Sequence, residues 1–142
     1  MSAFDSSVLV TLLRAGAPGD VLKAQTALEQ ADAAGSLIIS PPVYAEVSAS
    51  PGMTERFLDR FLKETGVAVE WRLSKDVWRD AARAFSAYAN RRRRDKSDKG
   101  PRRLLADFVI GAHALRWADR FVTFDKGIYR TAFPDLDTEI LR

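Results

Sequence analysis

The chain has 142 residues, of which 46% are hydrophobic and 29% are charged, and its formal net charge at pH 7 is +3. This length and composition predict one globular domain over residues 1–142, and the absence of cysteine excludes disulfides, thiolate zinc sites and a cysteine nucleophile. No apolar run approaches the roughly 18 residues that cross a bilayer, and the early apolar stretch lacks a basic leader and a cleavage-like site, so we expect a cytoplasmic protein without a membrane partner.

Short apolar runs alternate along the chain with longer helical patterns. This alternation favours βαβ units, and we predict an α/β fold with a central, mostly parallel five-stranded sheet flanked by helices. The predicted strands are Ser2–Phe4, Leu37–Ile39, Val67–Trp71, Phe121–Phe124 and Thr138–Leu141.

Capping residues mark the ends of the first predicted helices. Asp20 is expected to cap a helix over Val21–Ala34 that Gly35 closes. Ser40 precedes two prolines and is expected to cap a helix that runs to about Ala49.

Two further helices are predicted in the middle of the chain. Thr54 is expected to cap the helix ERFLDRFLKET, residues 55–65, with Gly66 as its stop. Ser74 is expected to cap a long helix that runs from Lys75 into a series of arginines. Aromatic residues recur at helical spacing in this long helix and are predicted to lie in the core: Trp78, Phe85 and Tyr88.

The sequence RRRRDKSDKGPRR, residues 91–103, carries eight basic and two acidic side chains, so the rest of the chain is mildly acidic. Because lysine and arginine contacts with phosphates release counterions, we expect this segment to bind a nucleic-acid backbone. The alternative is a solvated run of charges without a target. Within it, residues 95–100 are predicted to be an exposed, mobile connection. The expected phosphate-binding residues are Arg91, Arg92, Arg93, Arg94, Lys96, Lys99, Arg102 and Arg103.

Three acidic residues occupy positions that each have an ordinary explanation. Asp5 follows the first strand, where it is a good helix N-cap, but the carboxyl ends of strands are also where α/β sheets bind ligands. Glu46, in PPVYAEV, would ordinarily be a solvated helix residue. Asp125, in FDKG, would ordinarily be a turn residue.

Asp107 is harder to explain, because LLADFVIGAHAL, residues 104–115, is otherwise an apolar helical face. A buried carboxylate without a partner costs several kcal/mol, and Arg103, one turn earlier, is the cationic partner that this face offers. The small Gly111 on the same face would let another backbone or a ligand come close. His113 lies about 240° round the helix from Asp107 and is predicted to lie on the surface or at the core edge, away from any site.

The four acids converge if their strands are neighbours in one parallel sheet. Four neighbouring carboxylates do not all ionise comfortably at neutral pH without a cation among them. Hard oxygen ligands select Mg²⁺ or Mn²⁺ over zinc. The residues therefore predict an acidic metal site, and they leave open which acid would act as the general base.

The motifs FDSSVLV, PPVYAEV, LLADFVIGAHAL and FVTFDKGIYRTAFPDL, in this order and spacing, resemble the PIN-domain ribonucleases, in particular the VapC-type toxins of toxin–antitoxin pairs. The resemblance covers essentially the whole chain and implies that the first strand is central in the sheet. It also implies four acids around one or two divalent ions, with a hydroxyl residue beside them. The matching positions are Asp5, Glu46, Asp107 and Asp125, of which Asp5 and Asp107 would be the most direct ligands, and Thr123 for the hydroxyl.

The activity implied by the resemblance is Mg²⁺- or Mn²⁺-dependent hydrolysis of RNA by the toxin of a VapBC-type pair. The implied partners are an antitoxin that lies in the acidic groove and a second copy of the chain, for which the apolar residues of FLDRFL, residues 57–62, are candidates. Gly111 stands where the family often has alanine, and the arginine-rich segment leaves the substrate open. The alternatives are a PIN nuclease that processes RNA or cuts DNA outside a toxin pair, and a non-catalytic RNA- or metal-binding module.

Overall fold

The structure is a computed structural model that describes residues 1–14, 16–95 and 102–142. These residues form a five-stranded sheet in the order β3-β2-β1-β4-β5, in which every neighbouring pair is parallel. The strands are β1 (Ser2–Phe4), β2 (Leu37–Ile39), β3 (Val67–Val69), β4 (Arg120–Thr123) and β5 (Thr138–Ile140). The predicted α/β fold and the central position of the first strand are confirmed.

Seven helices within the described ranges connect the strands. They are α1 (Ser6–Leu13), α2 (Pro18–Ala34), α3 (Pro41–Ser48), α4 (Glu55–Thr65), α5 (Lys75–Arg94), α6 (Leu105–Trp117) and α7 (Ile128–Ala132). The predicted caps Ser40, Thr54 and Ser74 each accept a hydrogen bond from the backbone N–H three residues later. Gly66 ends α4 at a φ of 72°, a left-handed conformation that glycine adopts at little cost.

The start of α2 differs from the prediction. Asp20 is not its cap, because the helix already begins at Pro18, after Ala17. The fixed φ of proline suits the first helical position, and Asp20 instead lies in the first turn, where its charge favours the positive end of the helix dipole. Gly35 closes the helix as predicted.

Three strands end earlier than predicted. β3 ends at Val69, and Glu70 forms a salt bridge with Arg72, with 2.7 Å between Oε1 and Nε. Phe124 lies beyond β4 and Leu141 beyond β5.

The most buried helix is α6, in which residues 108–114 are all buried. It packs on α5, α3 and α7. His113 is therefore fully buried, and its predicted position at the surface or core edge is wrong. A side chain that faces away from Asp107 meets another part of the core here, because α6 is covered on more than one face.

The exposed fractions of the side chains correct two predictions about apolar residues. Trp78 is 47% exposed and does not belong to the core. Within FLDRFL, Leu58 and Leu62 are buried in the core of the protein itself and Phe61 packs against that core. Phe57, 53% exposed, is therefore the residue of this stretch that remains available to a second copy.

Some predictions fall on residues 96–101, which lie outside the described ranges. These predictions are the phosphate contacts of Lys96 and Lys99 and most of the mobile connection. In the part of the chain that the structure describes, no helix combines the length and apolar character needed to cross a bilayer.

Candidate active site

The carboxyl ends of β1 and β4 bring the first and last predicted acids together. The two strands pair in parallel with Phe4 opposite Val122, and the backbone N–H of Asp5 donates to the carbonyl of Val122 at 2.9 Å. Asp5 therefore lies beside the end of β4, close to Thr123, the last residue of that strand, and to Asp125 beyond it.

Asp5 is buried and held by four donors. Its Oδ1 accepts hydrogen bonds from the backbone N–H of Ser6 at 2.9 Å and from the Tyr129 hydroxyl at 3.2 Å. Its Oδ2 accepts from the hydroxyls of Ser7 at 3.0 Å and Thr123 at 2.7 Å. Burial raises the pKa of Asp5, although these hydrogen bonds favour the ionised form. Asp5 is thus both the N-cap of α1 and a buried acid at the strand end.

Glu46 points toward Asp5 rather than into solvent. The Ser6 hydroxyl donates to its Oε1 at 3.0 Å and lies 3.5 Å from Oδ1 of Asp5, so one serine bridges the two acids. Partial burial raises the pKa of Glu46, and the negative charges of Asp5 and Asp107 raise it further. The ordinary explanation as a solvated helix residue does not hold.

Asp107 lies in the first turn of α6 and is half-buried. Its Oδ2 accepts a hydrogen bond from the backbone N–H of Leu104 at 3.2 Å. Burial is the main cause of a raised pKa for Asp107, the charge of Asp125 adds to it, and the Leu104 hydrogen bond and Arg103 oppose it. This carboxylate is therefore a partly desolvated member of the same acidic group.

Arg103 pairs with Asp125, which corrects its predicted pairing with Asp107. Its Nη1 lies 2.6 Å from Oδ2 of Asp125, and its Nη2 lies 3.5 Å from Oδ1. The reason is that α6 begins at Leu105, so Arg103 precedes the helix and does not sit one helical turn before Asp107. Asp125 also accepts hydrogen bonds from the N–H groups of Gly127 and Ile128, as expected of a turn residue.

Thr123 links the acids at the two strand ends. Its hydroxyl donates to Asp5 and accepts from the backbone N–H of Asp125 at 2.9 Å. All four predicted acids and the predicted hydroxyl residue thus occupy one edge of the sheet.

A sequence model of the PIN domain matches residues 3–134. The chain belongs to the PIN-domain family. The resemblance drawn from the motifs is confirmed at this level, and PIN domains are generally nucleases that use divalent metal ions.

Two solved structures share this PIN fold over nearly the whole chain. The crystal structure of VapBC2 from Rickettsia felis bound to a DNA fragment from their promoter is 19% identical, with a TM-score of 0.69 over 99% of this chain and 98% of that one. The crystal structure of FitAcB from Neisseria gonorrhoeae is 18% identical, with a TM-score of 0.62 over 97% and 96% of the two chains. Among curated proteins, no sequence matches this chain.

The donor set of this PIN domain fits a hard divalent cation in its chemistry, because it consists of carboxylate and hydroxyl oxygens. In the described ranges, however, no group of three or more acidic or histidine side chains is close enough to enclose an ion. Protein donors occupy both oxygens of Asp5, and Arg103 occupies Asp125. Cation binding would therefore displace Arg103 from Asp125, and Asp5 would exchange one of its protein donors for the ion.

Several residues of the site were not predicted from the sequence. Ser6 and Ser7 follow Asp5 directly, and serine after an aspartate at a helix start is a local signal that could have identified them. Tyr129 gives no such signal, because its contact with Asp5 joins residues 124 positions apart. Gly111 accommodates the Phe133 ring and not a ligand, since a Cβ atom there would lie 2.3 Å from Cε2 of that ring.

Proposed function

We propose that this PIN domain is a metal-dependent endoribonuclease and the toxin of a VapBC-type pair. The observation that carries the proposal is the convergence of Asp5, Glu46, Asp107 and Asp125 at one edge of the sheet. The charges of Asp5 and Asp107 raise the pKa of Glu46, and the charge of Asp125 raises that of Asp107. Such a cluster favours a bound cation, and its oxygen ligands favour Mg²⁺ or Mn²⁺.

Asp5 and Asp107 are proposed as the most direct ligands, with Glu46 and Asp125 completing the catalytic set. A divalent ion held there supplies polarisation of the phosphate, a lower pKa for the attacking water and stabilisation of the leaving 3′ oxygen. The four carboxylates would hold the ion and position the water for attack on an RNA phosphodiester.

The hydroxyls around Asp5 are proposed to act as positioning groups. Thr123, Ser7 and Tyr129 fix the carboxylate at the end of β1, which limits its rotation and its choice of ligand geometry. Because metal ligands are oriented by the groups that hydrogen-bond them, loss of these contacts would weaken metal binding.

The likeness of the fold to VapBC2 and FitAcB supports the toxin assignment. We propose an antitoxin partner with a segment that enters the acidic site and places an arginine among the carboxylates, where charge-assisted hydrogen bonds would form. The contact of Arg103 with Asp125 supports this mode, since a guanidinium fits beside the acids.

We also propose a homodimer with Phe57 in its interface, and replacement of Phe57 by aspartate would then give a monomer in light scattering.

Cleavage of total RNA by the purified protein tests the catalytic proposal, with new 5′ ends mapped by sequencing. We expect cleavage with Mg²⁺ or Mn²⁺, none with EDTA, and none by the Asp107→Asn variant. The Asp32→Asn variant, altered at an exposed acid of α2, is the matched control and should cleave as the parent does. Cleavage that persists in EDTA contradicts the proposal, and cleavage of single-stranded DNA but not RNA selects the alternative nuclease.

Co-expression tests the toxin assignment. The gene immediately upstream should encode a small DNA-binding protein, and its product should co-purify with the chain and block cleavage. Failure to form a stable complex would remove most of the support for a toxin pair, while the nuclease assignment would still be judged by the cleavage assay.

A further inference from the structure

A cleft of about 340 Å³ lies beside the candidate active site, between the last turns of α5 and the segment that leads into α6. Two aromatic rings, Phe85 and Tyr88, line it together with arginines from both segments. This volume lies within the range of about 300–1,000 Å³ that is usual for small-molecule sites.

The rings of Phe85 and Tyr88 pack against the core of the protein. Phe108 is fully buried in α6, and its ring centroid lies 5.0 Å from that of Phe85 and 5.4 Å from that of Tyr88. The guanidinium carbon of Arg92 lies 5.9 Å from the centroid of Tyr88. Rings fixed in this way present a preorganised surface on which a planar group can stack.

Arg103 joins the cleft to the acids. Its backbone N–H donates to the Tyr88 hydroxyl at 2.7 Å, and its side chain contacts Asp125 at 2.6 Å. A ligand in the cleft is therefore separated from the candidate catalytic acids by the length of one side chain.

The charges that line the cleft select an anion. Arg92, Arg93, Arg102 and Arg103 line it, of which Arg103 is paired with Asp125, and no acidic residue of the described ranges lines it. The cleft beside Asp80 and the cleft beside Glu139 both include acids and lack this run of arginines. An aromatic wall combined with arginines is the pattern that binds single-stranded nucleic acid, in which bases stack and phosphates meet cations.

We propose that this cleft binds one base and the adjacent phosphate of single-stranded RNA, next to the bond cut at the acidic site. The base stacks on Tyr88, the Phe85 ring, which is inclined by 57° to that of Tyr88, contacts the edge of the base, and Arg102 meets the phosphate. The inference rests on the proposed ribonuclease function, because the RNA must lie across both the cleft and the acids. It gives the enzyme a requirement for an unpaired, stackable base beside the cleaved bond.

Binding measurements in EDTA test the cleft without cleavage. The probe is a short fluorescent single-stranded RNA, and its anisotropy gives the dissociation constant. Tyr88→Leu should weaken binding about tenfold, which is the usual effect of losing one stacked base, and Tyr88→Phe should recover most of it because the ring remains. Trp78→Leu, which removes an exposed ring near the other end of α5, is the control and should bind as the parent does.

Photo-crosslinking provides a second measurement that does not depend on a destabilised variant. RNA that carries 5-iodouridine should cross-link to Tyr88 or Phe85 in the parent protein, as identified by peptide mapping. Ala89→Leu, which fills the cleft and leaves both rings in place, should reduce the cross-link and the affinity. Cross-links found only elsewhere, or equal affinity for the Tyr88→Leu and Trp78→Leu proteins, would overturn the cleft.

The two proposals fail in different ways. RNA binding and cross-linking through Tyr88, without cleavage of any RNA in Mg²⁺ or Mn²⁺, would support the cleft and overturn the ribonuclease. Normal Mg²⁺-dependent cleavage of RNA, with binding unchanged in the Tyr88→Leu and Ala89→Leu variants, would overturn the cleft alone.

Discussion

Asp107 is the residue whose replacement separates a metal-site acid from a solvated helix acid. The Asp107→Asn variant removes one charge from a group of mutually repelling carboxylates, while asparagine can still accept the Leu104 hydrogen bond. We expect the metal-free variant to be more stable than the parent by about 1 kcal/mol at neutral pH. Mg²⁺ should then stabilise the variant less than it stabilises the parent. Thermal melts with and without Mg²⁺ measure both effects.

The pH dependence of this variant has a definite sign. The pKa of Asp107 is raised above its ordinary value of 3.8, so its contribution to stability is fully present below that value and is lost as the pH rises through the folded-state pKa. The variant should lose less stability over this rise than the parent or the Asp32→Asn control. A variant that melts below the parent without metal, and still cleaves RNA, would make Asp107 a solvated helix residue.

Arg103 provides positive charge beside the acids in the metal-free protein. Its side chain and that of Asp125 are each 24% exposed, so their interaction is only partly screened by water. Arg103→Gln should lower the free energy of unfolding by about 1–3 kcal/mol. Added Mg²⁺ should restore part of the loss, because a bound cation replaces the missing charge.

A surface pair supplies the control for Arg103. Arg83 contacts Asp80 at 3.0 Å, and the Arg83 side chain is 72% exposed, so Arg83→Gln should cost less than about 1 kcal/mol whether or not Mg²⁺ is present. Equal losses for the two arginine variants, both unaffected by Mg²⁺, would show that Arg103 has no special relation to the acids.

The residues of the site could be predicted more readily than their contacts. Asp5 and Asp125 follow strands, and the end of a strand is a local property that the sequence carries. The contact between Ser6 and Glu46 requires that α1 and α3 pack together, and such packing is decided by the whole core. Arg103 pairs with Asp125 and not with Asp107 because α6 begins only at Leu105, and the sequence pattern does not fix such a boundary to a single residue.

At the scale of elements, α6 packs closely on the Phe133 ring because Gly111 has no side chain. A Cβ atom on Gly111 would lie 2.3 Å from Cε2 and 2.5 Å from Cδ2 of the buried Phe133 ring. Gly111→Ala should therefore destabilise the protein by about 1–2 kcal/mol, because the strain of moving the ring exceeds the gain in helix propensity. Urea unfolding measures the change.

Two further variants test the cause of that loss. Gly19→Ala in α2, where no atom lies within 4 Å of the new methyl group, should be neutral or stabilise by up to about 1 kcal/mol. Combining Gly111→Ala with Phe133→Leu should cost less than the sum of the two single changes, because leucine lacks the clashing ring atoms. Additive effects would place the strain elsewhere.

His113 connects α6 to the end of β3 and should make the stability sensitive to acid. Burial lowers its pKa from 6.5, and its Nδ1 has no hydrogen-bond partner among the described residues. The neutral ring therefore donates from Nε2 to the carbonyl of Glu70 at 2.8 Å. Its contribution to stability is present above pH 6.5 and is lost as the pH falls toward the folded-state pKa.

The His113→Gln variant isolates this effect, because glutamine can place an N–H near the Glu70 carbonyl and does not titrate. The parent should lose up to about 1.4 kcal/mol more than the variant for each pH unit below 6.5, until the folded-state pKa is reached. Chemical unfolding at a series of pH values measures the difference. Parallel curves for the two proteins would mean that water or the Glu70 carboxylate compensates the charge on His113.

Helices were predicted well where local signals decide them and poorly where packing does. The side-chain caps Ser40, Thr54 and Ser74 mark helix starts because each hydrogen bond spans only three residues. The helical angle between Asp107 and His113 was sound, but an angle gives only relative direction. Because residues 108–114 are all buried, a position that faces away from Asp107 does not bring His113 to the solvent.

On the scale of the whole molecule, the acids of the candidate site and the arginines of the proposed RNA cleft form two adjacent groups. The acids gather at one edge of the sheet, the arginines follow from α5 into the approach to α6, and Arg103 belongs to both groups. A polyanionic substrate with one phosphate at the acids would place its flanking phosphates along the arginines. The repulsion between the acids and the substrate phosphates would then be offset by a cation at the cleaved bond and by the arginines on either side of Tyr88.

This arrangement predicts that the arginines determine how RNA binding depends on salt. Each phosphate contact adds about 0.7 to the slope of log K against log salt concentration for a single strand. Replacement of residues 91–94 by glutamine should therefore weaken binding at low salt and flatten the slope by up to about 3. Anisotropy of a single-stranded RNA in EDTA, measured over a range of salt concentrations, gives this slope.

A variant with the same change in net charge separates specific contacts from the general field of the protein. Four exposed basic residues outside the segment can be changed to glutamine for this purpose: Arg56, Arg60, Lys63 and Arg79. Because screening weakens interactions beyond about 10 Å at moderate salt, this control should leave the slope nearly unchanged. An unchanged slope in the 91–94 variant would exclude the arginines from the RNA interface. Equal flattening in both variants would mean that RNA responds to the overall charge and not to contacts beside the acidic site.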